Sequence, residues 1–104
     1  MAETWESRLG IEAGDLTALC RKLGVRRLSL FGSVLTDRFG LDSDVDLLVE
    51  FRPGAVETLL DRGQVQMEFE TFIGRKVDLA ELRLIDQPMR RQEIQSSALE
   101  IFAE

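Results

Sequence analysis

The 104-residue chain sets 13 Lys and Arg against 19 Asp and Glu, a net charge of −6, with 44% hydrophobic and 31% charged residues. That length fits one domain with a modest core and leaves no room for a second, substrate-binding domain, and the composition is that of an ordinary globular protein. With no His, no Tyr and a single Cys, Cys20, the chain excludes histidine catalysis or ligation, self-modification on tyrosine, an internal disulfide and a multi-thiolate zinc site.

The opening residues, MAETWESRLG, hold acidic side chains and no apolar run, so they are not expected to act as a signal peptide. Residues 1–14 are expected to form a loosely held arm with Trp5 as a packing anchor, and residues 15–104 the domain. Asp15 is placed to cap a helix running to about Leu23. Leu16, Leu19, Cys20 and Leu23 follow the i, i+3, i+4, i+7 spacing, and Gly24 stands at the left-handed stop. Cys20 lies on that stripe and reads as core filler. Val25 to Phe31 forms a first strand, ended by Gly32-Ser33. A short helix, Val34 to Phe39, is expected next, with Ser33 as its cap and Gly40 as its stop.

From Asp44 to Phe51 the sequence alternates: Val45, Leu47, Val49 and Phe51 on one side; Asp44, Asp46, Leu48 and Glu50 on the other. Pro53-Gly54 breaks this strand. Val56 to Ile73 has an imperfect helical stripe through Leu59, Leu60, Val65, Phe69, Phe72 and Ile73, interrupted by Gly63. Arg75 to Ala80 is a third strand carrying Asp78. Asp86 is placed to cap a last helix with Pro88 in its first turn and Met89, Ile94, Ala98 and Ile101 on its stripe. The order is α-β-(α)-β-α-β-α, and the long connection between strands two and three permits a parallel crossover. An α/β (α+β) fold follows, a small mixed sheet with helices packed on one face.

Asp44 and Asp46 stand two apart on a strand, so their carboxylates share a face at Cβ atoms about 7 Å apart. Asp78 has the matching placement on another strand. If the strands are neighbours, three carboxylates converge, and their repulsion is relieved by a hard divalent cation. Mg²⁺ prefers carboxylate and phosphate oxygens together, which points to a two-metal phosphoryl-transfer site. Upstream, Gly32 lets backbone approach a triphosphate, and Ser33 offers N–H groups and a hydroxyl. A Gly-Ser pair alone is usually a turn, and a lone Asp-x-Asp is usually a solvated strand face. The two together at this spacing arise in about one random chain of this size in a thousand.

These residues resemble the nucleotidyltransferase superfamily of DNA polymerase β, and within it the minimal nucleotidyltransferases (MNT domains) paired with HEPN proteins. The likeness lies in Leu-Phe-Gly-Ser at 30–33, Asp-Ser-Asp-Val-Asp-Leu-Leu-Val-Glu-Phe at 42–51 and Gly-Arg-Lys-Val-Asp-Leu at 74–79, and it runs from about residue 15 to the end. The resemblance implies an antitoxin that transfers AMP from ATP to a tyrosine of a partner HEPN ribonuclease toxin. It implies that Gly32 and Ser33 hold the ATP phosphates, that Asp44 and Asp46 ligate two Mg²⁺ ions, and that Asp78 completes the site and helps deprotonate the attacking hydroxyl. The resemblance also implies that an Arg commonly stands three residues after the motif Ser, where this chain has Thr36.

Two alternatives stand beside this reading: an antitoxin that masks its partner without catalysis, and adenylylation of a small molecule, which the missing second domain disfavours. Of the 13 cations 11 are Arg, a bias toward planar contacts with phosphate or carboxylate. The acidic balance speaks against direct nucleic-acid binding. No apolar run approaches the roughly 18–20 residues of a membrane span, and the single Cys fits the cytoplasm.

Overall fold

A computed structural model describes residues 3–104. Its centre is a four-stranded sheet in the order β3-β2-β1-β4, formed by β1 (Val25–Phe31), β2 (Val45–Phe51), β3 (Val77–Ala80) and β4 (Leu99–Ala103). β1 runs antiparallel to β2 and to β4, whereas β2 and β3 are parallel. The helix α3 (Leu59–Ile73) makes the parallel crossover, as the long connection required. Strand alternation sends Leu28, Leu30, Val45, Leu47, Val49, Val77 and Leu79 into one cluster with Leu16 and Cys20 of α2 (Ala13–Leu23) and with Val65 and Phe69 of α3. Cys20 is fully buried, and burial pushes its thiol up to about 12, so it is the inert filler its position suggests. Among the described residues no helix is long and apolar enough to cross a membrane.

The expected loose arm departs from the structure. Its first two residues lie outside the described region, but Trp5–Leu9 form a helix, α1. Thr4 and Ser7 cap it reciprocally, each hydroxyl accepting the other residue's backbone N–H, and Gly10 ends it at φ 66°. Leu9 is buried in the core and Trp5 packs against it.

Helix starts also shift. Asp15 lies in the first turn of α2 instead of capping it, where its charge still complements the helix dipole. The last helix, α4 (Pro88–Ser97), follows Gln87, not Asp86. α3 begins at Leu59 because Thr58 and Asp61 form a capping box, the Thr58 hydroxyl accepting from Asp61 N–H and the Asp61 carboxylate from Thr58 N–H. Its buried stripe is Val65, Phe69 and Ile73, and Leu59 and Leu60 are exposed.

The largest difference is at the C-terminus. The helix expected to include Ile101 stops at Ser97, and Leu99–Ala103 is strand β4. Met89 is 84% exposed and only Ile94 of the expected stripe is buried. The free edge of β1 accounts for this: β4 fills it, pairing Leu28 with Phe102, and puts the Phe102 ring into the core. Phe102→Ala is therefore expected to destabilise the protein by about 3–5 kcal/mol in urea unfolding. An effect below about 1 kcal/mol would mean that β4 is not packed this way.

Candidate active site

Register assembles the site. Asp46 of β2 is paired with Phe31 of β1 on one side and with Asp78 of β3 on the other. Paired residues share a sheet face, so Phe31, Asp46 and Asp78 form one row across three strands about 5 Å apart. It is the face opposite Leu30, Leu47 and Leu79. Asp44 stands exposed one residue before β2 begins. Half-buried Asp46 has its carboxyl pushed above the ordinary range, by burial first, then by the charge of Asp78, then by that of Asp44; Arg90 of α4 works the other way. The other two acidic residues expected at the site, Asp44 and Asp78, are thus within electrostatic reach of Asp46.

Gly32 lies directly over Asp46. Its φ is +75°, and a Cβ built on it would stand 2.1 Å from Asp46 Oδ2. No other residue type fits there without displacing that carboxylate. The helix expected from Val34 to Phe39 is a four-residue 3₁₀ turn, Gly32–Leu35, so Ser33 sits inside the turn and does not cap it. The Ser33 carbonyl accepts from both the Thr36 N–H and the Thr36 hydroxyl, each at 2.9 Å. Position 36 therefore holds a residue that closes the turn on itself.

Each segment of the site is braced by a guanidinium, which sequence reasoning missed. Nη1 of Arg75 donates to the carbonyls of Gly40 (2.7 Å) and Ser43 (2.9 Å), fixing the loop that delivers Asp44, while its carbon lies 4.3 Å from the Phe39 ring centre. Arg62 of α3 donates to the Leu79 carbonyl, next to Asp78. Beside it, Gln66 donates to the Val77 carbonyl at 3.0 Å and Glu70 accepts the Val77 N–H at 3.0 Å. These three side chains cover the free edge of β3. Arg8 of α1 donates to the carbonyls of Val34 (2.8 Å) and Thr36 (2.7 Å). Glu81, only 4% exposed, receives Arg62 at 2.6 Å and Arg83 at 2.9 Å, so its buried charge is compensated. The Arg excess over Lys is the sequence signal that was available, and the arginines bond to backbone carbonyls as often as they pair with carboxylates.

A cleft of about 640 Å³ continues along the same face, bordered by Ser29, Leu48, Glu50 and Arg83 and by Gln95 of α4. That volume suits a small-molecule ligand. As they stand, no three His, Cys, Asp or Glu side chains among the described residues form a group able to hold a metal ion. The donor chemistry nonetheless fits a hard divalent cation: oxygen ligands only, like charges that raise the protonation of the central carboxylate, and glycine clearance above it.

Comparison with known proteins identifies the family. The nucleotidyltransferase domain family matches residues 16–101. A protein of Methanocaldococcus jannaschii, provisionally named a protein adenylyltransferase, is 35% identical over 81 residues, covering 78% of this chain and 84% of that protein. Protein adenylyltransferase MntA of Thermococcus cleftensis is 36% identical over 61 residues, 59% of this chain and 60% of its own length. The fold is shared with the solved complex of a tri-AMPylated Shewanella oneidensis HEPN toxin and its MNT antitoxin, at TM-score 0.64 and 16% identity over 97% of this chain and 74% of that chain. On the family match and the identity to the archaeal relative, this chain belongs to the nucleotidyltransferase domain family.

Proposed function

We propose that this protein is an antitoxin-type protein adenylyltransferase, which transfers AMP from ATP to a tyrosine hydroxyl of a partner HEPN ribonuclease and so silences it. The observation that carries the reading is the row Phe31–Asp46–Asp78 with Gly32 closed over Asp46. The names of the two curated relatives and of the toxin–antitoxin complex support the substrate and the partner.

Gly32 and Ser33 bind the ATP phosphates, through backbone N–H groups and the Ser33 hydroxyl. Asp44, Asp46 and Asp78 would hold Mg²⁺, two ions in all, which supplies charge neutralisation at the phosphates. Asp78, exposed at the edge of the row, accepts the proton of the incoming hydroxyl. The hydroxyl oxygen forms a bond to the α-phosphorus, the bond from that phosphorus to the bridging oxygen breaks, and pyrophosphate leaves with the electron pair. The chain contains neither His nor Tyr, so the base is a carboxylate and the acceptor belongs to another chain.

The reading is tested by co-expressing the chain with the HEPN protein encoded beside it and weighing the partner intact. One or more added AMP masses are expected. An unmodified but neutralised partner would favour masking, which the loss of Arg at position 36 would permit.

A further inference from the structure

Arg8 lies outside the family-matched residues, which begin at 16, yet it bonds to the turn that opens with Gly32. Its side chain is 21% exposed, and Nη1 donates at 2.8 Å to the Val34 carbonyl and at 2.7 Å to the Thr36 carbonyl, while Nε lies 3.3 Å from Glu3. These carbonyls belong to the end of the short turn that begins with Gly32. A cation there matches the partial negative charge of the C=O groups at the turn's end. The turn needs an outside brace. Four residues of 3₁₀ geometry bond weakly, and the segment after it, to Gly40, contains no regular element. Arg8 is itself fixed, since α1 is capped on both sides and anchored through Leu9 and Trp5.

We propose that Arg8 is a positioning residue for the phosphate-binding turn, holding the Val34 and Thr36 carbonyls so that Gly32 and Ser33 stay closed over Asp46. The proposal rests on the nucleotidyltransferase reading above. It gives the N-terminal helix a role in nucleotide binding.

The test compares the full chain with Arg8→Met and Arg8→Lys, using AMP transfer to the co-purified partner and direct titration with a non-hydrolysable ATP analogue. Arg8→Met is expected to raise KM for ATP and the analogue's Kd by about five- to tenfold, with kcat changed less than about threefold. Arg8→Lys, which keeps a cation able to reach a carbonyl, restores most of the affinity. Amide hydrogen exchange across 32–38 should quicken in Arg8→Met and stay slow in the sheet. A purely structural role would lower the melting temperature and the active fraction but leave KM and Kd unchanged, and that result overturns the proposal. Should Arg8→Met fail to fold, Arg8→Gln replaces it, and affinity equal to the parent's would be equally fatal. If the parent chain itself neither binds the analogue nor labels its partner, it is the function reading that fails.

Discussion

Asp46→Asn is expected to abolish AMP transfer and, in the same protein, to raise the melting temperature measured with chelator present. Both effects have one cause. Asp46 is half-buried beside Asp78 and within reach of Asp44, and its carboxyl titrates above the ordinary range. Between the unfolded and folded values the folded state binds the proton more tightly, so stability falls as pH rises through that window. At neutral pH the ionised carboxylate is a standing cost, which the amide removes. The stability advantage of the variant should therefore be full at pH 7 and shrink as the pH drops into the carboxylate range, where Asp46 of the parent becomes protonated. Transfer should fall by roughly a thousandfold or more, the equivalent of about 4 kcal/mol, because an amide cannot supply the anionic oxygen that a hard cation and a phosphoryl centre require. Partner mass and a thermal melt over pH measure the two effects. Transfer retained within tenfold would remove Asp46 from the chemistry, and a melting temperature lowered at pH 7 would contradict its electrostatic strain.

Much of this site was legible because its signal is local. Alternation over Val45 to Phe51 places Asp46 opposite the core whatever the rest of the chain does, and β2 follows it residue by residue. The pairing of Asp46 with Asp78 needed only a parallel neighbour and a crossover long enough for α3. What escaped was non-local. Nothing in Ala98-Leu-Glu-Ile-Phe distinguishes a continuing helix from a strand, since no Gly or Pro separates them; the open edge of β1 decides it. The N-terminal segment looks loose until its Thr4–Ser7 cap and the two carbonyl contacts of Arg8 are seen together. Ser33 looks like a helix cap because Gly-Ser before an apolar pair resembles one, but the segment bonds as a 3₁₀ turn closed by Thr36. Arginines 8, 62 and 75 act across 26 or 28, 17 and 32 to 35 residues of sequence respectively, separations at which no periodicity could announce them.

Gly32→Ala should cost about a hundredfold or more in activity through a single methyl group. The position has φ +75°, a conformation that costs an L-residue about 1–2 kcal/mol. The added Cβ would also fall 2.1 Å from Asp46 Oδ2, far inside contact distance. Something has to move, and the nearest movable group is the Asp46 carboxylate itself, whose Cγ would be 3.1 Å away. The protein can accommodate the methyl group by turning Asp46 aside or by lifting the turn, and either one separates the phosphate contacts from the carboxylates. Stability should therefore drop only by about the backbone cost of 1–2 kcal/mol, while AMP transfer falls by about a hundredfold or more, since misplacement by an ångström has that order of effect. Gly63→Ala is the matched control. It lies in α3 with nothing within 4 Å of the built Cβ and no positive φ, so it should leave transfer unchanged and stabilise the helix by about 0.5–1 kcal/mol. The pair is read by partner labelling and urea unfolding side by side. If Gly32→Ala labelled its partner at the parent rate, Gly32 would not be the cover over Asp46, and the turn would have to be separated from the row of carboxylates as an active-site element.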